Sequence, residues 1–302
     1  TGGFDTVNGS VQFDYGADGA GKLVLNAVPT GLTSHGVAVT VTLSADGTTA
    51  VGKAGDVTVF TLTVNPTTGA YTFTQNAALD HPNTGDHNDA LNLGFGFKVT
   101  DGDGDSATGS INVKVLDDGP TACDATSVVD ETGGFDTVNG SVQFGFGADG
   151  AGKLVLTGSP LGLTSHGVAV NVTVSADGKS AAGKAGDVTV FSLTINPTTG
   201  AYTFTQNAAL DHPNTADHND KLALNFKVSA TDFDGDTAVG NLTVSVLDDG
   251  PTGGHTAVVV NQSVWDDWNP NTAILCVTGN SGMSYGNDGE GHISLTEKPT
   301  NI

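Results

Sequence analysis

The sequence predicts an all-β chain: two tandem β-sandwich domains followed by a short, atypical β-rich segment. Three observations predict it. The segment TGGFDTVNGSVQF begins at Thr1 and again at Thr132, and the same offset of 131 residues relates Lys22 to Lys153, His35 to His166, Pro66 to Pro197, His81 to His212 and Pro120 to Pro251. Within each copy, apolar residues fall at every second position, the period of a half-buried strand. Finally, only Glu131, Glu290 and Glu297 among the 33 acidic residues are Glu, and all 10 basic residues are Lys. Asp favours turns, caps and hard-cation sites over helix surfaces, so such a chain is poor in helix and rich in acidic loops.

The repeat divides the 302 residues into domains 1–119 and 120–250 and a segment 251–302. Repeats of this length are whole domains rather than solenoid units. In copy one the alternating runs are Val11, Phe13, Tyr15; Leu23, Leu25; Val37, Val39, Val41, Leu43; Tyr71, Phe73; and Ile111, Val113, Val115. After Val57 and Val59 the apolar parity switches to Phe60, Leu62 and Val64, which predicts a bulge or a strand buried on both faces. Asn65-Pro66-Thr67-Thr68-Gly69 supplies a Pro for a turn and a Gly for positive φ, joining this strand to the next as a hairpin. One helical turn is expected near Asn76–Asp80. About eight short strands per copy, separated by Gly/Asp turns, make an immunoglobulin-like sandwich.

A formal net charge of −23 with no Arg argues against nucleic acid and anionic membrane surfaces, which need a basic footprint. No run approaches the ~20 apolar residues of a membrane span. Cys123 and Cys276 allow one disulfide but form neither a framework nor a zinc spacing. His35 and His166 follow Ser in TSHG without a nucleophile elbow, so the chain is expected not to be an enzyme.

The sharpest chemical signal is Asp101-Gly-Asp103-Gly-Asp105, repeated as Asp232-Phe-Asp234-Gly-Asp236. Carboxylates at i, i+2 and i+4 with Gly between them can curl round one Ca²⁺, which takes six to eight hard oxygens. This is not an EF-hand, because Asn112 stands where the closing Glu belongs. A second cluster closes each copy, Asp117-Asp118-Gly-Pro and Asp248-Asp249-Gly-Pro. The strand Ala107–Leu116 spans about 33 Å, so the two clusters should lie at opposite poles of a domain. Asp232, Asp234 and Asp236 then face Asp117 and Asp118, with Asp130 and Glu131 as further ligands at that junction.

The aspartate loop, the final strand (GSINVKVLDDGP, GNLTVSVLDDGP), GADGAGKL and the LDHPN stretch together resemble the large repeat of type I secreted, RTX-group bacterial adhesins. The likeness to VCBS and cadherin-like repeats is looser. The resemblance covers residues 1–251 and implies an extracellular, calcium-stiffened spacer of a long bacterial surface protein, one piece of a longer series of repeats. The chain departs from the family in having only a degenerate GNDGEGH in place of a glycine-rich nonapeptide array, and in carrying Cys.

DHPNTGDHND offers His81, Asp86, His87 and Asp89; imidazole suits Zn²⁺ or Ni²⁺, but an exposed polar loop that caps its own backbone is the expected form. Residues 252–302 leave the repeat and hold Trp265 and Trp268. Aligning the linkers sets PTGGHTAVVVNQ against PTACDATSVVDE, so Val258, Val259 and Val260 take the place of an opening strand for which copy one, starting at Thr1, has no counterpart. Three roles follow: a calcium-dependent adhesin spacer, a filament or surface-layer subunit joined head-to-tail to copies of itself by strand donation, and a carbohydrate- or cell-surface-binding module using the two Trp.

Overall fold

The computed structural model describes residues 4–86 and 88–251. The expected donor residues Val258, Val259 and Val260, together with Trp265, Trp268 and Cys276, lie outside the described residues. The described chain is all strand and loop. The helical turn expected near Asn76–Asp80 does not form. Asn76 and Ala77 both donate their N–H to Val59 O (2.7 and 3.2 Å), so the backbone there is committed to a neighbouring strand and not to a helical ladder.

Copy one contains β1 (Thr6–Ser10), β2 (Lys22–Ala27), β3 (Thr33–Ser34), β4 (Val37–Leu43), β5 (Thr49–Ala54), β6 (Val57–Val64), β7 (Ala70–Gln75), β8 (Ala90–Thr100) and β9 (Ser106–Leu116). A six-stranded sheet, β1-β7-β6-β5-β4-β3, faces a three-stranded one, β2-β8-β9. Copy two opens with β10 (Thr121–Ala122) and β11 (Ala125–Asp130). It continues with β12 (Thr137–Ser141), β13 (Phe144–Gly145), β14 (Lys153–Gly158), β15 (Thr164–Ser165), β16 (Val168–Val174), β17 (Ser180–Ala185), β18 (Val188–Ile195), β19 (Ala201–Gln206), β20 (Lys221–Thr231) and β21 (Thr237–Leu247). Its large sheet, β12-β19-β18-β17-β16-β15, repeats that of copy one, and its small sheet, β11-β21-β20-β14, has four strands; β10 pairs with β13.

Each core lies between its two sheets. In copy one Phe60 stacks on Phe73 (ring centroids 5.5 Å) and meets Phe95 of the opposite sheet edge-on (5.9 Å), and Phe191, Phe204 and Phe226 repeat this in copy two. Burying one such ring contributes roughly 1.5–3 kcal/mol. The parity switch in β6 is a bulge. Thr58 pairs with Lys53 and Phe60 with Gly52, so Val59 is the extra residue, and Val59 and Phe60 are both fully buried. A Cβ on Gly52 would stand 2.6 Å from the Phe60 ring, which is why that position is glycine. The β6–β7 hairpin closes as expected: Thr67 and Thr68 donate to Asn65 Oδ1 (2.9 and 3.0 Å), and Gly69 has φ +70°.

The copies differ at one sheet edge. β11 lies parallel to β21, with Ala125 beside Leu242 and Asp130 beside Leu247, and it sinks Val129 into the core (1% exposed). Among the described residues β9 pairs with β8 alone. Val244 is fully buried where its counterpart Val113 is half-buried, and Leu247 is half-buried where Leu116 is 54% exposed, while Ile111 and Val115 are buried like Leu242 and Val246. A groove of about 340 Å³ runs along that side of copy one, lined by Val7, Phe73, Gln75, Leu79, Val115 and Leu116 among others.

Candidate metal centre

β9 delivers Asp117 to the end of copy one that meets copy two. From copy two come the β20–β21 loop and the loop before β14. The β20–β21 loop is curled by its own chemistry: Gly235 and Asp236 donate N–H to Asp232 Oδ1 (3.1 and 2.8 Å), Asp232 N–H donates to Asp236 O (3.1 Å), and Gly235 has φ +111°. This curl brings one carboxylate oxygen each of Asp232, Asp234 and Asp236 within 4.8 Å of one another. Asp234 also belongs to a second group, with Asp117 of copy one and Asp149, again within 4.8 Å.

Backbone contacts hold the two copies in this arrangement. His81 N–H donates to Asp234 Oδ2 (2.9 Å), and Ala148 N–H donates to Asp118 Oδ2 (3.0 Å). The His35 ring, on a turn residue with φ +48°, packs edge-on against Phe233 (5.2 Å).

The electrostatics are those of a cation site. Asp149, Asp232 and Asp236 are buried. Burial first, then the neighbouring Asp234, Asp117 and Asp232 charges, pushes Asp149 up to about 8. Burial and Asp117 push Asp236 up to about 7, and burial and Asp234 push Asp232 up to about 6. Asp117 Oδ2, Asp232 Oδ2, Asp234 Oδ1 and both Asp236 carboxylate oxygens have no hydrogen-bond partner. No lysine pairs with these carboxylates among the described residues. Hard oxygens without donors in a buried pocket fit Ca²⁺, whose charge would remove the repulsion and allow all of them to ionise.

Of the ligands expected at this junction, Asp130 and Glu131 stand elsewhere, whereas Asp101, Asp103 and Asp105 belong, as expected, to the other end of β9. Asp101 and Asp103 cluster with Asp18 and are partly or fully exposed, with Asp105 exposed beside them and its carbonyl accepting from Asp101 N–H (3.0 Å). They form at copy one the same loop that copy two presents to the junction. Asp130 and Glu131 are not at the junction. β11 carries the chain six residues along β21, roughly 20 Å, to the opposite pole of copy two. There Asp130 Oδ1 caps Thr132 N–H (2.8 Å), and Glu131 joins His212 and Asp248, with Asp249 buried nearby in sequence. The expectation of an exposed histidine loop is also corrected. His81 is 6% exposed and its Nδ1 lies 2.5 Å from Asp89 Oδ1; His212 pairs in the same way with Asp220 (2.9 Å). Holding each imidazole against the following Asp buries it, while Asp86 stays exposed at the loop tip; His87 lies outside the described residues.

Asp149 is the ligand candidate that sequence reading missed. It lies in GADGAGKL, far along the chain from Asp232, and the only signal for it was the equivalent Asp18 in the other copy.

Residues 2–114 and 117–245 each match the family model described as Domain of unknown function (DUF5801). No curated protein matches the chain. Among solved structures it is similar to the crystal structure of Drosophila N-cadherin EC1-4, at 13% identity and TM-score 0.26 over 77% of this chain and 51% of that one. It is similar also to protocadherin gamma B2 extracellular cadherin domains 3-6, at 13% and 0.27 over 84% and 55%, and to the cadmium-bound structure of SporoSAG, at 10% and 0.20 over 82% and 93%. The chain spans about half the length of the two cadherin chains.

Proposed function

We propose that this chain, which belongs to the DUF5801 family and matches its model twice in succession, is an extracellular, non-enzymatic repeat segment, a calcium-stiffened spacer of a large secreted bacterial surface adhesin. The observation that carries this reading is the grouping of Asp117 from one repeat with Asp149 and Asp234 from the next. A cation bound there is held by both domains, so its binding energy resists bending of the joint. Without it, the clustered charges push the domains apart. One ion at 100 times its dissociation constant contributes roughly 2.7 kcal/mol.

Scanning calorimetry with Ca²⁺ and with chelator tests this. Calcium should raise the melting temperature, and Asp234→Asn should remove most of the rise. Unchanged melting of the native chain in both buffers would sink the proposal.

A second reading, end-to-end assembly of copies of this chain by strand donation, is favoured by the groove along β9. In copy two the corresponding edge carries β11, whose Val129 is core and whose following residue, Glu131, accepts from Leu210 N–H (3.0 Å) and from Gln206 Nε2. The copy-one groove is walled by the counterparts Leu79 and Gln75, so it suits a parallel apolar strand ending in an acceptor side chain. Residues 255–262, with Val258–Val260 followed by Asn261 and Gln262, have that pattern.

A further inference from the structure

We propose that Glu131, His212 and Asp248 form a second cation site, distinct in chemistry from the calcium junction, that takes a transition-metal ion of the Zn²⁺ class. One ligand atom of each residue lies within 4.8 Å of the other two. The decisive member is His212, whose side chain is 3% exposed and whose Nε2 has no hydrogen-bond partner. An imidazole nitrogen buried among carboxylates and bonded to none of them is poorly placed as a donor. It is well placed as a ligand: metal bonds of about 2.0–2.2 Å hold ligand atoms roughly 3.3–3.6 Å apart in a tetrahedral shell, so the three side chains would draw together by up to about 1.5 Å on binding.

The surroundings are those such a ligand needs. Asp220 Oδ1 lies 2.9 Å from Nδ1. A carboxylate accepting the Nδ1 proton fixes the tautomer, turns the Nε2 lone pair inward and makes it more basic. Asp248 Oδ1 likewise has no partner. Glu131 is fully buried and is held at its other end by Leu210 N–H, so its carboxylate is positioned by main chain rather than by a flexible loop. One nitrogen and two carboxylates suit Zn²⁺ and its first-row neighbours, whereas Ca²⁺ prefers an all-oxygen shell. Copy one repeats His81, Asp89 and Asp117 as a group, but Glu131 arrives on β11, for which copy one shows no counterpart among the described residues. The complete site therefore belongs to copy two.

The test uses the full chain, stripped with chelator and then titrated with Zn²⁺ in buffer already saturated with Ca²⁺. One Zn²⁺ per chain should bind most tightly, and X-ray absorption at that single equivalent should show one imidazole in the coordination shell. His212→Gln should abolish this tightest site, and Asp220→Asn, which keeps all three ligands, should weaken it about tenfold or more. Zn²⁺ binding unchanged in His212→Gln, an absorption spectrum without imidazole, or displacement of Zn²⁺ by Ca²⁺ would overturn the proposal. None of these results bears on the Asp117–Asp149–Asp234 junction, which is tested by Ca²⁺-dependent melting alone.

Discussion

Asp149, Asp232 and Asp236 give the junction a defined acid response. Their folded values of about 8, 6 and 7 lie above the ~3.9 of an unfolded Asp, so between those limits the folded protein binds more protons than the unfolded one. Stability must then fall as pH rises from about 4 to about 8. In chelator the melting temperature should decline across that window, and in Ca²⁺ the decline should flatten because the ion replaces the protons. Asp149→Asn should raise the melting temperature in chelator at pH 8 and lower it in Ca²⁺; a variant that melts like the native chain in both would show that Asp149 takes no part. At this scale the sequence was legible only where ligands are neighbours in the chain. The Asp232–Asp236 triplet announces itself through its i, i+2, i+4 spacing. Asp149 and the pairing of His212 with Asp220 depend on distant segments meeting, and a lone Asp in a Gly-rich loop carries no mark of it.

Strands were more readable than ligands, because alternation is local. The bulge at Val59 is visible as a change of apolar parity, and the hairpin at Asn65–Gly69 as turn chemistry. The error lay with β11. Asp130 and Glu131 follow the linker closely in sequence, which invites placing them at the joint, yet a strand is long for its residue count and moves whatever follows it to the other pole. The same element makes a stability prediction. Val129 is buried in copy two alone, so Val129→Ala should cost copy two about 1–2 kcal/mol and leave copy one untouched. Urea unfolding followed separately through Tyr15 and Tyr71 of copy one and Tyr202 of copy two would show it, and an equal loss in both copies would contradict the assignment of β11.

For the whole molecule, the groove beside β9 is the place proposed above for attachment of a further copy. If residues 255–262 fill the groove of the next copy, the contact is heterologous and propagates as a fibre rather than closing. Deleting residues 253–302 should then abolish polymers seen by negative-stain microscopy while both domains stay folded, and undiminished assembly of the truncated chain would exclude donation. The parallel pairing of β11 with β21 has a consequence of its own under load. A pull on the two ends of copy two drags β11 back along the chain axis and β21 forward, so the six paired residues from Ala125 to Asp130 are loaded together in shear. An antiparallel pairing at that edge would let them peel open one at a time. At this edge copy two should therefore resist extension along its axis more strongly than copy one, whose described residues lack such a pair.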